Sequence, residues 1–229
     1  MPTAAQVLVT FQRQIRTALT NYDDLVAAVA HRPRRVAMER LLAEQCVHSI
    51  AVRWEAFIHD LIIAYIEDRP DYCIAFLKAN LTKSVEAKHK GFAAWVTVTV
   101  PSPLTRAQIG EMLDPEGRNV SAESASALAQ KANNLLAAAY ARKFSLSAAD
   151  GRFLDLMISI RNYLSHRSSG SMKILRTRLT EVDGADPASP MNGTVKSVAV
   201  YLNTKPAGAA HSRAKVVGYN VIALAAKLV

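Results

Sequence analysis

Residues 47–65 read VHSIAVRWEAFIHDLIIAY, and this segment sets the architecture of the chain. Its apolar side chains recur every three or four residues, the spacing that collects them on one face of an α-helix. Pro33 precedes the segment and Pro70 follows it, at positions where proline starts and stops helices. We therefore expect a helix over residues 34–67 at the centre of the core. The predicted apolar stripe, in which Trp54 and Tyr65 pack rather than stack on bases, comprises Val47, Ile50, Ala51, Trp54, Phe57, Ile58, Leu61, Ile62 and Tyr65.

The same periodicity predicts a mainly α fold, a helical bundle with a small β-hairpin or minor sheet and a C-terminal helix. β-branched residues indicate short strands near residues 95–100, 173–182 and 194–204, of which the last two would form the hairpin. With 229 residues, 50% of them hydrophobic, the chain is long enough for one domain over residues 1–229. The other helices are expected over residues 4–30, 70–90, 104–113, 121–143, 147–165 and 212–229.

The cysteines and the N-terminal segment predict a reduced, cytoplasmic protein. Cys46 and Cys73 stand on apolar periodic segments without metal-ligand spacing, so we expect core thiols and no metal site. Residues 1–20 lack the apolar core of a secretory signal, and the apolar run at residues 61–66 is too short to cross a bilayer. We therefore expect no membrane partner. We also expect no cofactor, because the sequence contains no glycine-rich phosphate loop, zinc-protease motif or hydrolase elbow.

The charge of the chain favours a polyanionic partner. The net charge is +9 and the isoelectric point is near 9.7, a balance that makes contacts with phosphates favourable. Basic residues concentrate in residues 31–35, in residues 83–90 and in a third cluster after residue 166. We interpret the first two as solvated surface. The third cluster, which we assign to RNA binding, comprises Arg167, Lys173, Arg176 and Arg178.

Residues 161–166 read RNYLSH and carry the groups best suited to chemistry. An imidazole moves protons near neutral pH, and a guanidinium can hold a phosphate whose negative charge rises in the transition state. On an ideal helix Arg161 and His166 are about 140° apart, so they converge only if the helix ends or loosens near Ser165. The serines and Gly170 that follow predict such an end. The alternative is a solvated helix end with a capping histidine.

Three sequence features, in this order, resemble the HEPN superfamily of helical nucleotide-binding domains and ribonucleases. The first is RWEAFIHDL at residues 53–61, which is similar to the Trp-Glu helix of the RNA-cleaving RiboL-PSP-HEPN group. The second is LDPEGRNVS at residues 113–121, and the third is the Arg-Asn pair followed after three residues by His in residues 161–166. The resemblance covers about residues 40–170 and leaves residues 171–229 as an elaboration of hairpin and helix.

The resemblance implies a metal-independent endoribonuclease that acts as a homodimer, with the helix ends of two protomers facing each other. Arg161 would stabilise the phosphorane, and His166 would assist attack by the 2′-hydroxyl or protonate the leaving 5′-oxygen. The products would be a 2′,3′-cyclic phosphate and a 5′-hydroxyl. Asn162 and Ser165 would support this pair, and Glu55 from the earlier helix would lie near it.

Two alternatives remain open from the sequence. Glu55 shares a helix face with His59 one turn later, so the two can instead form an exposed pair worth roughly 0.2–0.5 kcal/mol. The chain can also be a catalytically inactive HEPN-like module that binds RNA, a nucleotide or a protein. The resembling family includes effectors of defence and toxin-antitoxin systems, which adds a neutralising or regulatory protein to the expected partners.

Overall fold

The computed structural model of the protein describes residues 2–89, 104–114, 123–183, 197–206 and 208–229, and the single residues 95, 97 and 99. These residues form a mainly helical structure without a β-strand, and none of their helices is long and apolar enough to cross a membrane. In chain order the elements are α1 (Ala4–Val29), α2 (Arg35–Asp68), α3 (Pro70–Lys88), α4 (Arg106–Leu113), α5 (Ala125–Leu135), α6 (Ala138–Ala141), a 3₁₀ turn (Arg142–Phe144), α7 (Ala148–His166), α8 (Ser169–Asp183), α9 (Val198–Asn203) and α10 (Arg213–Lys227).

α2 is the centre of the structure, and α1 packs along it. The helix predicted over residues 34–67 is confirmed, and every residue of its predicted apolar stripe is buried. Phe11 of α1 stacks on Phe57 with 4.4 Å between the ring centroids, and it meets Trp54 edge-on at 6.1 Å. Trp54 is therefore a packing residue, as predicted. Burial of each such side chain contributes roughly 1.5–3 kcal/mol of transfer free energy.

α7 packs against α2 through one apolar face. Leu154, Met157 and Ile160 recur at helical spacing along α7, and all three are buried. α8 then packs back on α7 and buries Leu175 and Leu179. As a result, the last turn of α7 is held beside α2 and is followed at once by α8.

The predicted β-hairpin is wrong. Residues 173–182 lie within α8, and the described part of residues 194–204 contains α9, Val198–Asn203. The sequence suggested strands because β-branched residues are frequent in both segments. In α8, however, Leu175 and Leu179 are four residues apart and both buried, which is helical spacing. Packing on α7 thus outweighed the local β propensity.

The helix predicted over residues 121–143 is divided. α5, α6 and the start of the 3₁₀ turn lie in its described part, and α5 and α6 are separated by Leu136, which has an extended backbone, and Ala137. Leu135, Leu136 and Ala137 are all buried, and three consecutive side chains cannot share one helix face. The break lets all three enter the core. The strand predicted at residues 95–100 lies mostly outside the described residues and stays a prediction.

The C-terminal helix and both cysteines belong to the core. α10 confirms the predicted C-terminal helix, and the hydroxyl of Tyr65 donates a hydrogen bond of 2.6 Å to the carbonyl oxygen of Leu228, next to its end. Cys46 and Cys73 are buried free thiols, and burial raises the pKa of each to about 11. Both thiols are therefore protonated and poorly nucleophilic at neutral pH.

Candidate active site

α7 ends at His166, one residue beyond the end predicted at residue 165. Arg167 then takes a left-handed backbone conformation with φ of 49°. The expected stop signal, Gly170, lies instead in the first turn of α8. The helix end predicted near Ser165 is confirmed, but it falls after His166, so Arg161 and His166 stay about 140° apart around the helix. Among the described residues no hydrogen bond joins these two side chains.

The Arg161 guanidinium is oriented by two oxygen acceptors. Its Nη2 donates to Oε2 of Glu55 at 3.0 Å, and its Nη1 donates to Oδ1 of Asn162, also at 3.0 Å. The Arg161 side chain is 32% exposed and that of Glu55 is 20% exposed. Glu55 therefore faces α7 rather than open solvent. A planar guanidinium has five N–H donors, so Arg161 keeps donors with which it can bond a further acceptor such as a phosphate oxygen.

His48 of α2 contacts Ser165, which lies one turn after Arg161 on α7. Nε2 of His48 is 3.2 Å from Oγ of Ser165, and either group can donate, depending on the imidazole tautomer. His48 is half-buried and Ser165 is exposed. Ser165 follows Arg161 by four residues, so the two lie on one side of α7. The contact therefore places an imidazole of α2 next to the residues that the sequence singled out on α7.

The left-handed residue that ends α7 is held by a buried carboxylate. Arg167 donates Nη1 and Nη2 to the two carboxylate oxygens of Glu44, at 3.2 and 2.8 Å. Glu44 is 6% exposed, whereas the Arg167 side chain is 51% exposed and also lies 5.5 Å from the centre of the Tyr163 ring. Hydrogen bonding to Glu44 raises the pKa of Arg167 above its ordinary value. These contacts offset the cost of the left-handed backbone, about 1–2 kcal/mol for a residue other than glycine.

These three contacts form a polar seam between α2 and α7. The seam consists of Glu44, His48 and Glu55 on α2, of Arg161 and Ser165 on α7, and of Arg167, the residue that caps α7.

The sequence indicated only part of the seam. It placed Glu55 near Arg161 through the family resemblance, but Glu44 and the role of His48 were missed. A signal was present, because Glu44, His48 and Glu55 recur at intervals of four and seven residues and so share one helix face. What the sequence could not provide was the partner helix, since the pairing joins residues more than one hundred positions apart.

His166 lies at the exposed end of α7, beside the seam. Its side chain is exposed, and no described residue forms a hydrogen bond or ion pair with it. Asn162, one turn earlier on the same side of the helix, is half-buried and accepts from Arg161. The imidazole of His166 is thus available for a ligand, next to a guanidinium that is already oriented.

The basic cluster that the sequence assigned to RNA is divided by the structure. Arg178 is paired with Glu181 at 2.9 Å and with Asp155 at 3.6 Å, and the bond to Glu181 raises its pKa. Lys173 and Arg176 are exposed on α8, and no described carboxylate pairs with either. Together with the pairing of Arg167, this leaves two of the four predicted RNA contacts, Lys173 and Arg176, without a described carboxylate partner.

Comparisons of the chain with protein-family models, with curated proteins and with solved structures returned no match. The HEPN resemblance therefore rests on the quoted sequence features. Within the described residues, no group of three or more His, Cys, Asp or Glu side chains is placed to hold a metal ion.

Proposed function

We propose that this protein is a HEPN-like endoribonuclease that cleaves RNA without a metal ion at the exposed end of α7. One observation carries the proposal: His166, an exposed imidazole that bonds no described residue, lies about one turn of α7 from Arg161, whose guanidinium is oriented by Glu55 and is still partly exposed. Proton transfer and stabilisation of a crowded phosphate are the two tasks of this reaction, and these groups suit them.

The reaction would proceed by attack of the RNA's own 2′-hydroxyl on the adjacent phosphorus. Arg161 would donate to the non-bridging oxygens, whose negative charge rises in the phosphorane. His166 would transfer a proton to or from one of the two ribose oxygens. The P–O5′ bond then breaks and leaves a 2′,3′-cyclic phosphate and a 5′-hydroxyl. DNA would resist because it lacks the attacking hydroxyl.

The arrangement within one chain supports a site that is completed by a second copy. Arg161 and His166 diverge around a regular helix, so one phosphate is contacted by both most easily if the second group comes from a facing α7 end. We therefore propose a homodimer as the active unit. Lys173 and Arg176 on the adjoining α8 would bind phosphates further along the RNA.

The test is cleavage of structured and unstructured RNAs by wild type and His166→Ala in EDTA, followed by analysis of the fragment ends. His211→Ala serves as the matched control, because it also removes an exposed imidazole. We expect wild type and His211→Ala to leave cyclic phosphate ends and His166→Ala to leave the RNA intact. Equal cleavage by all three proteins, or none by wild type, would contradict the proposal.

A second candidate is an RNA-binding module without catalytic activity. The observation in its favour is that Arg161 and Arg167 each already pair with a carboxylate, as residues that join two helices would. In that case RNA would bind through Lys173 and Arg176, and loss of His166 would not matter. Tight binding of RNA by wild type and His166→Ala alike, with no cleavage by either, would favour this function.

A further inference from the structure

Metal-independent attack of the 2′-hydroxyl on the adjacent phosphorus needs two proton transfers. One group must take the proton of the attacking hydroxyl, and another must give a proton to the departing 5′-oxygen. In the proposed homodimer, a phosphate bound to Arg161 meets one His166, that of the facing α7 end, because the His166 of the same chain diverges from Arg161 around the helix. That imidazole can perform one of these tasks. The residues quoted for the resemblance contain no second group on the same helix that titrates near neutral pH.

α2 brings a second imidazole to the site within the same chain. Nε2 of His48 lies 3.2 Å from Oγ of Ser165, the residue directly before His166. Ser165 is four residues after Arg161, which is about 6 Å along the helix axis. A phosphate bound to the exposed side of the Arg161 guanidinium would therefore lie about one turn of α7 from the level of His48. Since His48 is only half-buried, a ribose at this level can reach it.

The charges around His48 are balanced. Glu44 and Glu55 lie on its own helix face, and Arg161 and Arg167 face them from α7. Each carboxylate is bonded to one of these arginines, so neither is available to form a fixed ion pair with His48. The described contact of its ring is with the Ser165 hydroxyl, a group that yields easily to another hydroxyl, such as that of a ribose.

We propose that His48 is a catalytic residue of the nuclease and supplies, with His166, the pair of imidazoles that the reaction needs. This inference rests on the proposed function. One imidazole, neutral at the start, takes the proton from O2′ as O2′ bonds to phosphorus. The other, protonated at the start, gives its proton to O5′ as the P–O5′ bond breaks. Exchange with water then returns both imidazoles to their initial states, and no other reactant is needed.

The test compares His48→Gln, Ser165→Ala and His59→Gln with wild type. Glutamine can keep a hydrogen bond to Ser165 but cannot carry a proton, so it separates structure from chemistry. Ser165→Ala removes the contact but keeps the imidazole. His59→Gln is the matched control, since His59 lies one turn beyond Glu55 on the same helix. Thermal unfolding of each protein shows whether its fold is retained.

The measurements are kcat and KM between pH 5 and 9 on an RNA with one cleavable bond. We expect His48→Gln to lower kcat by about 10²-fold or more with little change in KM, and to remove one limb of a bell-shaped pH profile. Ser165→Ala should lose much less, and His59→Gln nothing. An RNA with sulfur in place of the leaving 5′-oxygen needs no general acid, because a thiolate leaves without being protonated. With this RNA, cleavage should be restored in the variant that lacks the acid, either His48→Gln or His166→Ala.

An unchanged kcat and pH profile in a folded His48→Gln would overturn the role of His48. So would a loss in Ser165→Ala equal to that in His48→Gln, because the contact rather than the imidazole would then matter. These results differ from failure of the proposed function, in which wild type itself leaves the RNA intact.

Discussion

The cations at the end of α7 and those along α8 carry the same charge in very different surroundings. Arg161 and Arg167 are each bonded to a carboxylate of α2, and the bond fixes the position of the side chain. Lys173 and Arg176 are exposed and have no described carboxylate partner. One basic cluster therefore holds two kinds of residue. Those bonded to a carboxylate set the geometry of the candidate site, and we expect those without a described partner to add affinity for a polyanion.

The largest expected effect concerns the shape of the Arg161 side chain. Because its guanidinium bonds Glu55 and Asn162 through separate nitrogen atoms, a lysine cannot reproduce the arrangement. We expect Arg161→Lys to lower the cleavage rate by about 10²-fold or more. The matched control is Arg176→Lys on α8, where only charge is needed, and its rate should stay near that of wild type. Equal effects in single-turnover assays would remove the distinction between the two regions.

The next effect is on stability and concerns Arg167. Its removal leaves the carboxylate of Glu44, which is 6% exposed, without its ion-pair partner. We expect Arg167→Ala to lower the free energy of unfolding by about 1–3 kcal/mol. Arg176→Ala, an exposed position, should change it by less than about 0.5 kcal/mol. Urea titrations measure both, and similar values for the two variants would mean that the Glu44 bond does not fix the end of α7.

A smaller effect concerns RNA affinity through α8. Each phosphate contact to single-stranded RNA contributes roughly 0.7 to the slope of log affinity against log salt. In a His166→Ala background that prevents cleavage, Lys173→Gln with Arg176→Gln should reduce this slope by roughly 1.4. Arg178→Gln should reduce it less, because Arg178 already pairs with Glu181 and Asp155. A larger change in slope for Arg178→Gln would contradict the proposal that Lys173 and Arg176, rather than Arg178, contact the phosphates.

The smallest effect is on the pH dependence of stability and concerns Tyr65, at the other end of α2 from Glu44. Burial raises the pKa of Tyr65 to about 12, and its hydroxyl donates to Leu228. Because the raised value favours the neutral phenol in the fold, its contribution is complete below about pH 10, the value of an unfolded tyrosine, and is lost as the pH rises towards 12. Tyr65→Phe should flatten the stability profile over that range. Tyr72→Phe, an exposed control, and Arg161→Lys should not.

The sequence predicted the helices that bury one continuous apolar stripe. It missed the elements whose structure depends on packing against another helix. Helices α2 and α7 show their apolar periodicity directly, so their limits were predicted to within a residue or two. α8 was predicted as a strand because Ile174, Thr177 and Thr180 favour strands locally, whereas burial of Leu175 and Leu179 on α7 decides the outcome. Long-range packing of this kind leaves no signal in a short window.

The candidate site shows the same division. Arg161 and His166 were identified because their side-chain chemistry is visible in the sequence. The bonds from Glu44 to Arg167 and from His48 to Ser165 were not, since they depend on the register of two distant helices. The left-handed conformation of Arg167 was also unexpected, because this conformation ordinarily favours glycine and here depends on the contact with Glu44.

The proposed cleavage of RNA at the end of α7 uses the substrate's own 2′-hydroxyl. It is tested most directly with an RNA in which the 2′-hydroxyl is replaced by hydrogen at the one nucleotide that wild type cuts, incubated with wild type in EDTA. We predict that this bond alone becomes resistant while the unmodified RNA is cut to a cyclic phosphate and a 5′-hydroxyl. Cleavage of the modified bond, or loss of all cleavage on adding EDTA, would contradict the account.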